Sequence, residues 1–593
     1  MGGAPAGGRR PRVHPRRDGA RGPAARGAVV NAPTLTPPAV PVPPAGQPVW
    51  DVAIIGAGLG GGLCGRMLAE AGLSVLFIER GRGHPRRAGD TLDCTDDDPE
   101  VRRAHDCWPE RLRGTVDGRS CDGYPLQGTG LGGTSVYYAA ALERPERHDL
   151  EPTPTMPHPT GGWPVGYDAF TPWFDRAQAL MALSGTPDPL RPEPLPPLRD
   201  PPVLSPAEAV LVERMRAAGL HPYRTHLAIR GGDGCRECVG CSCPRDCKMD
   251  GRSAGIEPAL ATGRAAVLDG AVVRRLGADR HHVTHAEVEC GGEAMRIEAR
   301  VFVLAAGALA SPMLLLASAS DDWPEGLAND SGLAGRFLMF HVGERIALWA
   351  PRGLDHRGPR KTISLRDFYT GDGARLGLVQ SLGVGARYGV VVHELKQRYD
   401  RSPLRRFRAG KPFIRIPAAI ASALLGEASV FATIVEDLPD PENRVTHDPA
   451  HPNALTFTYR IPAELRQRSA LLRRKLRAQL RGIRMLFLSF QPELNLAHPC
   501  GTLRFSDDPA QGVLDRDCRA HGIDNLYVAD ASFMPTSTGV NPSLTIVANA
   551  LRVADIIVRH HPPAGAADGS ATPAPAPAEM PDLQSPAVSA ALH

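Results

Sequence analysis

The chain has 593 residues, 42% of them hydrophobic and 22% charged, with a formal net charge of +4. That length exceeds one compact core and implies two or more domains, the composition is that of a soluble globular protein, and the small net charge gives no overall electrostatic case for a nucleic-acid partner. No run approaches the ~20 apolar residues of a membrane span, so a cytoplasmic protein without transmembrane segments is expected, with cysteines as free thiols or metal ligands more than as disulfides.

Residues 1–48 are rich in Gly, Pro, Ala and Arg and read as a disordered leader. Arg9 and Arg10 are followed by "VVNAPTLTPPAVPVPPAG", which its prolines disqualify as the apolar core of an export signal. The first strong signal is "VWDVAIIGAGLGGGLCGRMLAEAGLSVLFIERG". "DVAIIG" predicts a buried parallel strand. Gly56, Gly58 and Gly61 form G-x-G-x-x-G, a helical pattern follows, and the second apolar run, "SVLFIE", ends in Glu79. Strand, glycine turn, helix, strand and acid make a dinucleotide-binding unit. Gly56 permits the turn, Gly58 lets backbone approach a pyrophosphate, and Gly61 lets helix and strand pack closely. The helix N-terminus suits the diphosphate, and Glu79 the adenosine ribose, which disfavours a 2′-phosphate. The fingerprint alone leaves NAD and FAD open.

A second glycine loop, "GTGLGGTS", spans Gly128 to Ser135, and five cysteines fall between Cys235 and Cys247. "RVFVLAAGALASPMLLLAS" predicts a buried strand that turns at Ala306 and Gly307 into an apolar helix. Lys361 to Leu395 and Val430 to Tyr459 alternate as strands do. "ELRQRSALLRRKLRAQLRGIRMLFLSF" predicts one helix with an apolar face and a solvated arginine face. "NLYVAD" predicts a strand ending on Asp530, and a loop with Asn541 and Pro542 leads into a long helix from about Ser543. Residues 562–593 are Pro- and Ala-rich and read as a disordered tail.

Taken together, GAGLGG, GLGGTS, W-P-x-x-Y at Trp163 to Tyr167, LAAGALASPMLLLAS, SGLAGRFLMFH, EDLPDPENRV, HPCGTLRF and VADASFMPTSTGVNPSLTIVANALRVAD stand in order over roughly residues 50 to 560. This set resembles the glucose–methanol–choline (GMC) oxidoreductases, with details like the choline-dehydrogenase branch. The resemblance implies FAD as cofactor and an α/β fold. Its Rossmann-like FAD-binding domain (49–150, 223–340, 495–561) is interleaved with an α+β substrate domain (151–222, 341–494) that carries a mostly antiparallel sheet. It implies oxidation of the CH–OH group of a small alcohol-type substrate, with O2 or a quinone-like carrier as electron acceptor. A sterol oxidase and a GMC-fold lyase with non-redox FAD are the alternatives.

By the same resemblance His498, in HPCGTLRF, is the base and Asn541 its partner at the substrate oxygen. A base that works near neutrality suits removal of a hydroxyl proton. The FAD contacts implied are Gly56, Gly58, Gly61 and Glu79, then Gly133, Thr134 and Ser135, then Val273, Ala306 and Gly307. Asp530, Ala531, Pro542 and Thr545, with Asn541, are implied at the ribityl and ring portion. The match departs at "GGTSVYYAA", where Tyr137 and Tyr138 stand near a place at which many members carry Asn. The cysteines fit zinc spacing poorly. A ferredoxin-type run would need a fourth cysteine where Arg245 stands. Cys238, Cys243 and Cys247 resemble the three-iron motif of some family members, but many relatives carry a similar segment without metal. The expectation is no metal, with the cysteines bracing a loop.

Overall fold

Five short apolar strands pair in parallel, in the order Leu526–Val528, Ala299–Leu304, Trp50–Ile55, Val75–Ile78, Ala265–Leu268. The structure is a computed structural model that describes residues 41–44, 48–86, 98–121, 123–231, 235, 237–385, 391, 392, 395, 396, 399, 406–489 and 491–563. The expected leader (1–48) and tail (562–593) lie almost wholly outside these residues. Every residue of Trp50–Ile55 and Val75–Ile78 is buried, which is why these runs are apolar throughout and do not alternate. The helices Leu59–Glu70 and Ser543–His560 pack on one another against this sheet. An antiparallel meander, Ala271–Ala278, Val283–Cys290 and Glu293–Ile297, is inserted before the strand Ala299–Leu304.

The second large sheet has eight strands, and every pairing in it is antiparallel. Its members include Met339–Gly343, Arg345–Trp349, Gly377–Gly385, Ser429–Val435 and Glu493–Cys500. The helix Ala463–Gln479 covers it, burying Leu465, Leu472 and Leu476. Among the described residues two large hydrophobic cores result, with two small clusters beside them. One core is built on the parallel sheet and one between the antiparallel sheet and this helix. The architecture is the expected α/β one with an antiparallel second sheet.

Several local readings differ. The helix Tyr167–Leu180 lies in the segment 151–222 but packs into the first core, against Ser543–His560, because Tyr167, Phe170, Phe174 and Ala177 share one face. The strand Tyr223–Arg224 pairs with Ile363–Leu365 in the antiparallel sheet. The run read as one helix from Glu464 to Phe490 ends at Gln479. Residues Arg484–Phe487 form a strand against Arg345–Trp349. Its arginines are not all solvated. Arg468 donates to the carbonyls of Arg375 and Glu436, and Arg473 pairs with Glu344 at 2.8 Å.

Candidate active site

A cavity of about 560 Å³ runs from the glycine turn of the first strand to the antiparallel sheet. It is within the size range of sites that enclose small ligands. Gly56 has φ +102°, and a Cβ there would lie 2.5 Å from the Ala305 carbonyl oxygen, so no other residue fits the turn. A Cβ on Gly58 would meet nothing nearer than 4.0 Å. The space beside it is cavity, at the N-terminus of Leu59–Glu70, where no side chain caps the helix. The helix Ser543–His560 also starts at this wall without a side-chain cap, through Pro542, Ser543 and Ile546. Two helix N-termini therefore present free N–H groups and positive partial charge. In the first turn of the second helix the Thr545 hydroxyl is buried with no partner in the protein.

Of the residues expected at FAD, Gly56, Gly58, Glu79, Gly133, Thr134, Ser135, Val273, Ala306, Gly307, Asp530, Ala531 and Pro542 line the cavity. Gly61, Asn541 and Thr545 are not among the lining residues. A Cβ on Gly61 would lie 2.2 Å from the Gly56 oxygen, so its part is the close packing of helix on strand. The two acids on the wall spend their oxygens within the protein. Glu79 accepts the N–H groups of Ala57 (2.9 Å), Gly81 (2.8 Å) and Gly130 (3.0 Å), which ties the fingerprint turn to the second glycine loop. Burial pushes its carboxyl up, and these N–H groups oppose that. Asp530 accepts from the N–H of Gly307 (2.8 Å), the Ser311 hydroxyl (2.5 Å) and the N–H of Ser532 (2.9 Å). Tyr137 and Tyr138 line the wall and donate to the carbonyls of His105 and Met249.

His498 lines the far end of the cavity, on the strand Glu493–Cys500. Its Nδ1 lies 3.0 Å from Nδ1 of His341, on the neighbouring strand Met339–Gly343. The proton positions follow from the partners. His341 Nε2 is 3.0 Å from the Thr538 carbonyl, which can only accept, so Nε2 carries the hydrogen. Burial holds the His341 pKa down to about 4, so its Nδ1 is bare. His498 Nδ1 thus faces both His341 Nδ1 and the Asn495 amide, and His498 Nε2 has no hydrogen-bond partner among the described residues. The Asn495 amide donates to the same Nδ1 at 3.2 Å. Burial, then His341, then the charge of Lys361 hold the His498 pKa well below the ordinary value. Asn541 is buried, and its Oδ1 accepts from Gln380 Nε2 at 3.1 Å. Asn541 is three residues beyond Thr538, the anchor of His341.

His341, Gln380 and Lys361 were not singled out from the sequence. The only signal was that the quoted motif SGLAGRFLMFH ends on His341. The cysteine loop abuts the cavity through Gly240. Lys248, buried beneath it, donates to the carbonyls of Val136 (2.6 Å), Cys238 (3.0 Å) and Cys241 (2.5 Å). Cys243 and Cys247 have sulfurs 3.5 Å apart. Burial would raise Cys243, but the N–H groups of Lys248 and Arg245 and the neighbouring thiols hold it below the usual range; burial pushes Cys238 and Cys247 up to about 12. Among the described residues, no three His, Cys, Asp or Glu side chains are arranged to hold a metal ion.

Family models described as GMC oxidoreductase match residues 110–347 and 485–550. The chain is 30% identical over 557 residues to paromamine 6′-oxidase of Streptomyces fradiae, covering 86% of this chain and 93% of that one. It is 29% identical over 543 residues to 6‴-hydroxyparomomycin C oxidase of Streptomyces lividus (86% and 92%) and 26% identical over 553 residues to the fructose dehydrogenase large subunit of Gluconobacter japonicus (86% and 97%). Among solved structures it resembles pyridoxine 4-oxidase from Mesorbium loti, with a TM-score of 0.57 at 20% identity over 86% of this chain and 100% of that one. It also resembles Aspergillus oryzae formate oxidase, with a TM-score of 0.59 at 16% identity over 86% and 98%. These relatives do not mark out the choline-dehydrogenase branch. The cavity fits the family's cofactor: two uncapped helix N-termini for anionic oxygens and glycine backbone at the wall. The chain is an FAD-dependent enzyme and belongs to the GMC oxidoreductase family.

Proposed function

We propose that the enzyme oxidises a CH–OH group of an alcohol or sugar-type substrate, with His498 as the base. The observation that carries this is that His498 lines the cavity with its Nδ1 engaged by His341 and Asn495 and its Nε2 without a hydrogen-bond partner among the described residues. Bound FAD supplies the acceptor for the hydride. Gly56, Gly58, Gly133 and Ala306 to Gly307 would lie along it, with the N-termini of Leu59–Glu70 and Ser543–His560 towards its charged or electron-rich portions. His498 Nε2 takes the hydroxyl proton. Asn541, its carbonyl engaged by Gln380, offers N–H to the same oxygen as that oxygen gains charge. His341 is a positioning residue that engages His498 through Nδ1.

The substrate would sit against the antiparallel sheet, because Met339–Gly343, Gly377–Gly385 and Glu493–Cys500 carry His341, Gln380 and His498. The division into an FAD-binding part (49–150, 223–340, 495–561) and a substrate part (151–222, 341–494) belongs to the same proposal. The two cores support it in outline, while Tyr167–Leu180 in the first core and Tyr223–Arg224 in the antiparallel sheet cross its boundaries. Relatives named for paromamine, hydroxyparomomycin and fructose support a hydroxylated, sugar-type substrate. The test is anaerobic addition of a panel of alcohols and sugars to the holoenzyme, read as loss of flavin absorbance. The active compounds are then run with O2 and with a quinone acceptor to find which reoxidises the flavin. A compound converted without flavin reduction would mean a lyase and would overturn the proposal.

A further inference from the structure

The described residues expose nine large apolar side chains, and five of them fall between residues 407 and 424: Phe407, Phe413, Ile416, Ile420 and Leu424. The helix Arg415–Leu425 carries three of these at positions i, i+4 and i+8, so they form one stripe. Ile416, Ile420 and Leu424 are 60%, 59% and 62% exposed, and Phe413, just before them, is 67% exposed. An ordinary surface helix turns its apolar stripe to the core; this one leaves its stripe in water, with Ala418 its only buried residue. Concentrated exposure of this kind marks an interaction surface.

The charge around the stripe indicates what it meets. Arg406, Lys411 and Arg415 are exposed beside it. In the sequence, residues 396–415 hold eight Lys or Arg and a single acid, Asp400, whereas residues 416–426 hold no charge at all. Glu427 is the first acid after them. An uncharged apolar helix with a basic flank matches the acyl boundary and anionic headgroups of a lipid surface. A symmetric pair of copies would instead bring two basic flanks together, because each copy contributes the same patch. The segment leaves the strand Gly377–Gly385 and returns through Ser429–Val435, the strand paired with it. Near its root, a Cβ on Gly383 would touch Lys361 and Val239 at 2.8 Å, and Lys361 is the charge felt by His498. The patch thus grows from the substrate-side sheet.

We propose that residues 406–425 dock the enzyme on an anionic membrane surface. Phe413, Ile416, Ile420 and Leu424 enter the acyl boundary, and Arg406, Lys411 and Arg415 lie among the phosphates. The helix has only 11 residues and lies on the bilayer without spanning it.

The experiment is co-sedimentation of the full-chain holoenzyme with vesicles of phosphatidylcholine alone and of phosphatidylcholine mixed with phosphatidylglycerol. Binding is expected to the mixed vesicles only, and to fall as salt is raised. The triple variant Ile416→Ser, Ile420→Ser, Leu424→Ser should lose binding. Lys411→Ala and Arg415→Ala should each weaken it about fivefold, as loss of about 1 kcal/mol per basic residue implies. Both sets should keep the parent's FAD content and rate of flavin reduction, which separates lost docking from lost folding. Wild-type protein that ignores the mixed vesicles overturns the proposal. So does binding that survives the triple variant, or a wild-type dimer in light scattering that the triple variant turns to monomer.

Discussion

The proposed base, His498, meets through its Nδ1 a histidine 157 positions away, His341. His498→Ala should leave FAD bound but slow flavin reduction by about 10²–10⁴-fold, the usual loss for a positioned base. Stopped-flow measurement of the anaerobic half-reaction checks it. His341→Asn removes the partner and keeps the base. Loss of an orienting partner is expected to lower the reduction rate by about 10–100-fold. The acid limb of the pH–rate profile should move up, because His341 helps to hold His498 down. A residue that served only packing would leave that limb in place. His341 also makes stability depend on pH. Its pKa is about 4 in the fold against an ordinary 6.5, so between these values the unfolded chain binds the extra proton and the folded state is disfavoured as pH falls. The wild type should therefore lose about 3 kcal/mol relative to His341→Asn between pH 6.5 and 4, which denaturant melts of the pair would measure. None of this was legible from composition, since 20 histidines offer no choice among themselves. The resemblance nominated His498, but its partner comes from strand pairing.

At the scale of elements, continuous apolar runs and glycine spacing made the parallel sheet readable, because buried parallel strands carry that pattern and surface strands do not. The run from Glu464 to Phe490 was misread past Gln479. Four residues of strand are too short to show a period, and the arginine-rich helix masks its end. The helix Arg415–Leu425 went unseen, since its stripe has a core helix's spacing and only its exposure tells the two apart. Gly61 shows a role that geometry refines. Gly61→Ala places a Cβ 2.2 Å from the Gly56 oxygen and pushes the helix off its strand, although it touches no cavity. Overpacking of about 1–3 kcal/mol is expected, read as a loss of folding stability of that size in denaturant melts of the variant against wild type. The cysteine loop is held by hydrogen bonds of Lys248. Cys243→Ser should therefore keep full FAD reduction, and anaerobically purified wild type should contain no stoichiometric iron or acid-labile sulfide. Iron analysis finding about three atoms per chain would replace the bracing role with a cluster of the kind known in the family.

Across the whole molecule the two cores are joined by buried charge. Leu142 belongs to the first core and Leu365 to the second; the residues that follow them, Glu143 and Arg366, meet at 3.6 Å with their side chains almost wholly buried. Glu143 also accepts from the Tyr223 hydroxyl (3.0 Å) and from the backbone N–H of His226 (3.2 Å), and its carboxylate lies 3.1 Å from the His226 ring. Arg366 reaches Asp188 at 3.1 Å and Glu146 at 3.2 Å. Burial would raise the Glu143 carboxyl, but His226 and then Arg366 outweigh it and hold the pKa down to about 2. Because the folded pKa is below the ordinary 4.5, this group adds stability that is complete above pH 4.5 and is lost as pH falls towards 2. The shift corresponds to about 3 kcal/mol. Glu143→Gln removes one of the three carboxylates around buried Arg366, so a loss of about 3 kcal/mol at neutral pH is expected, the size of the Glu143 shift. The variant should also lose much of the wild type's fall in melting temperature between pH 5 and 3, since the group that titrates there is gone. Thermal melts of both proteins across that range decide it. A variant as stable as wild type at pH 7, or as acid-sensitive, would show that the two cores are held together by their apolar contacts and not by this pair.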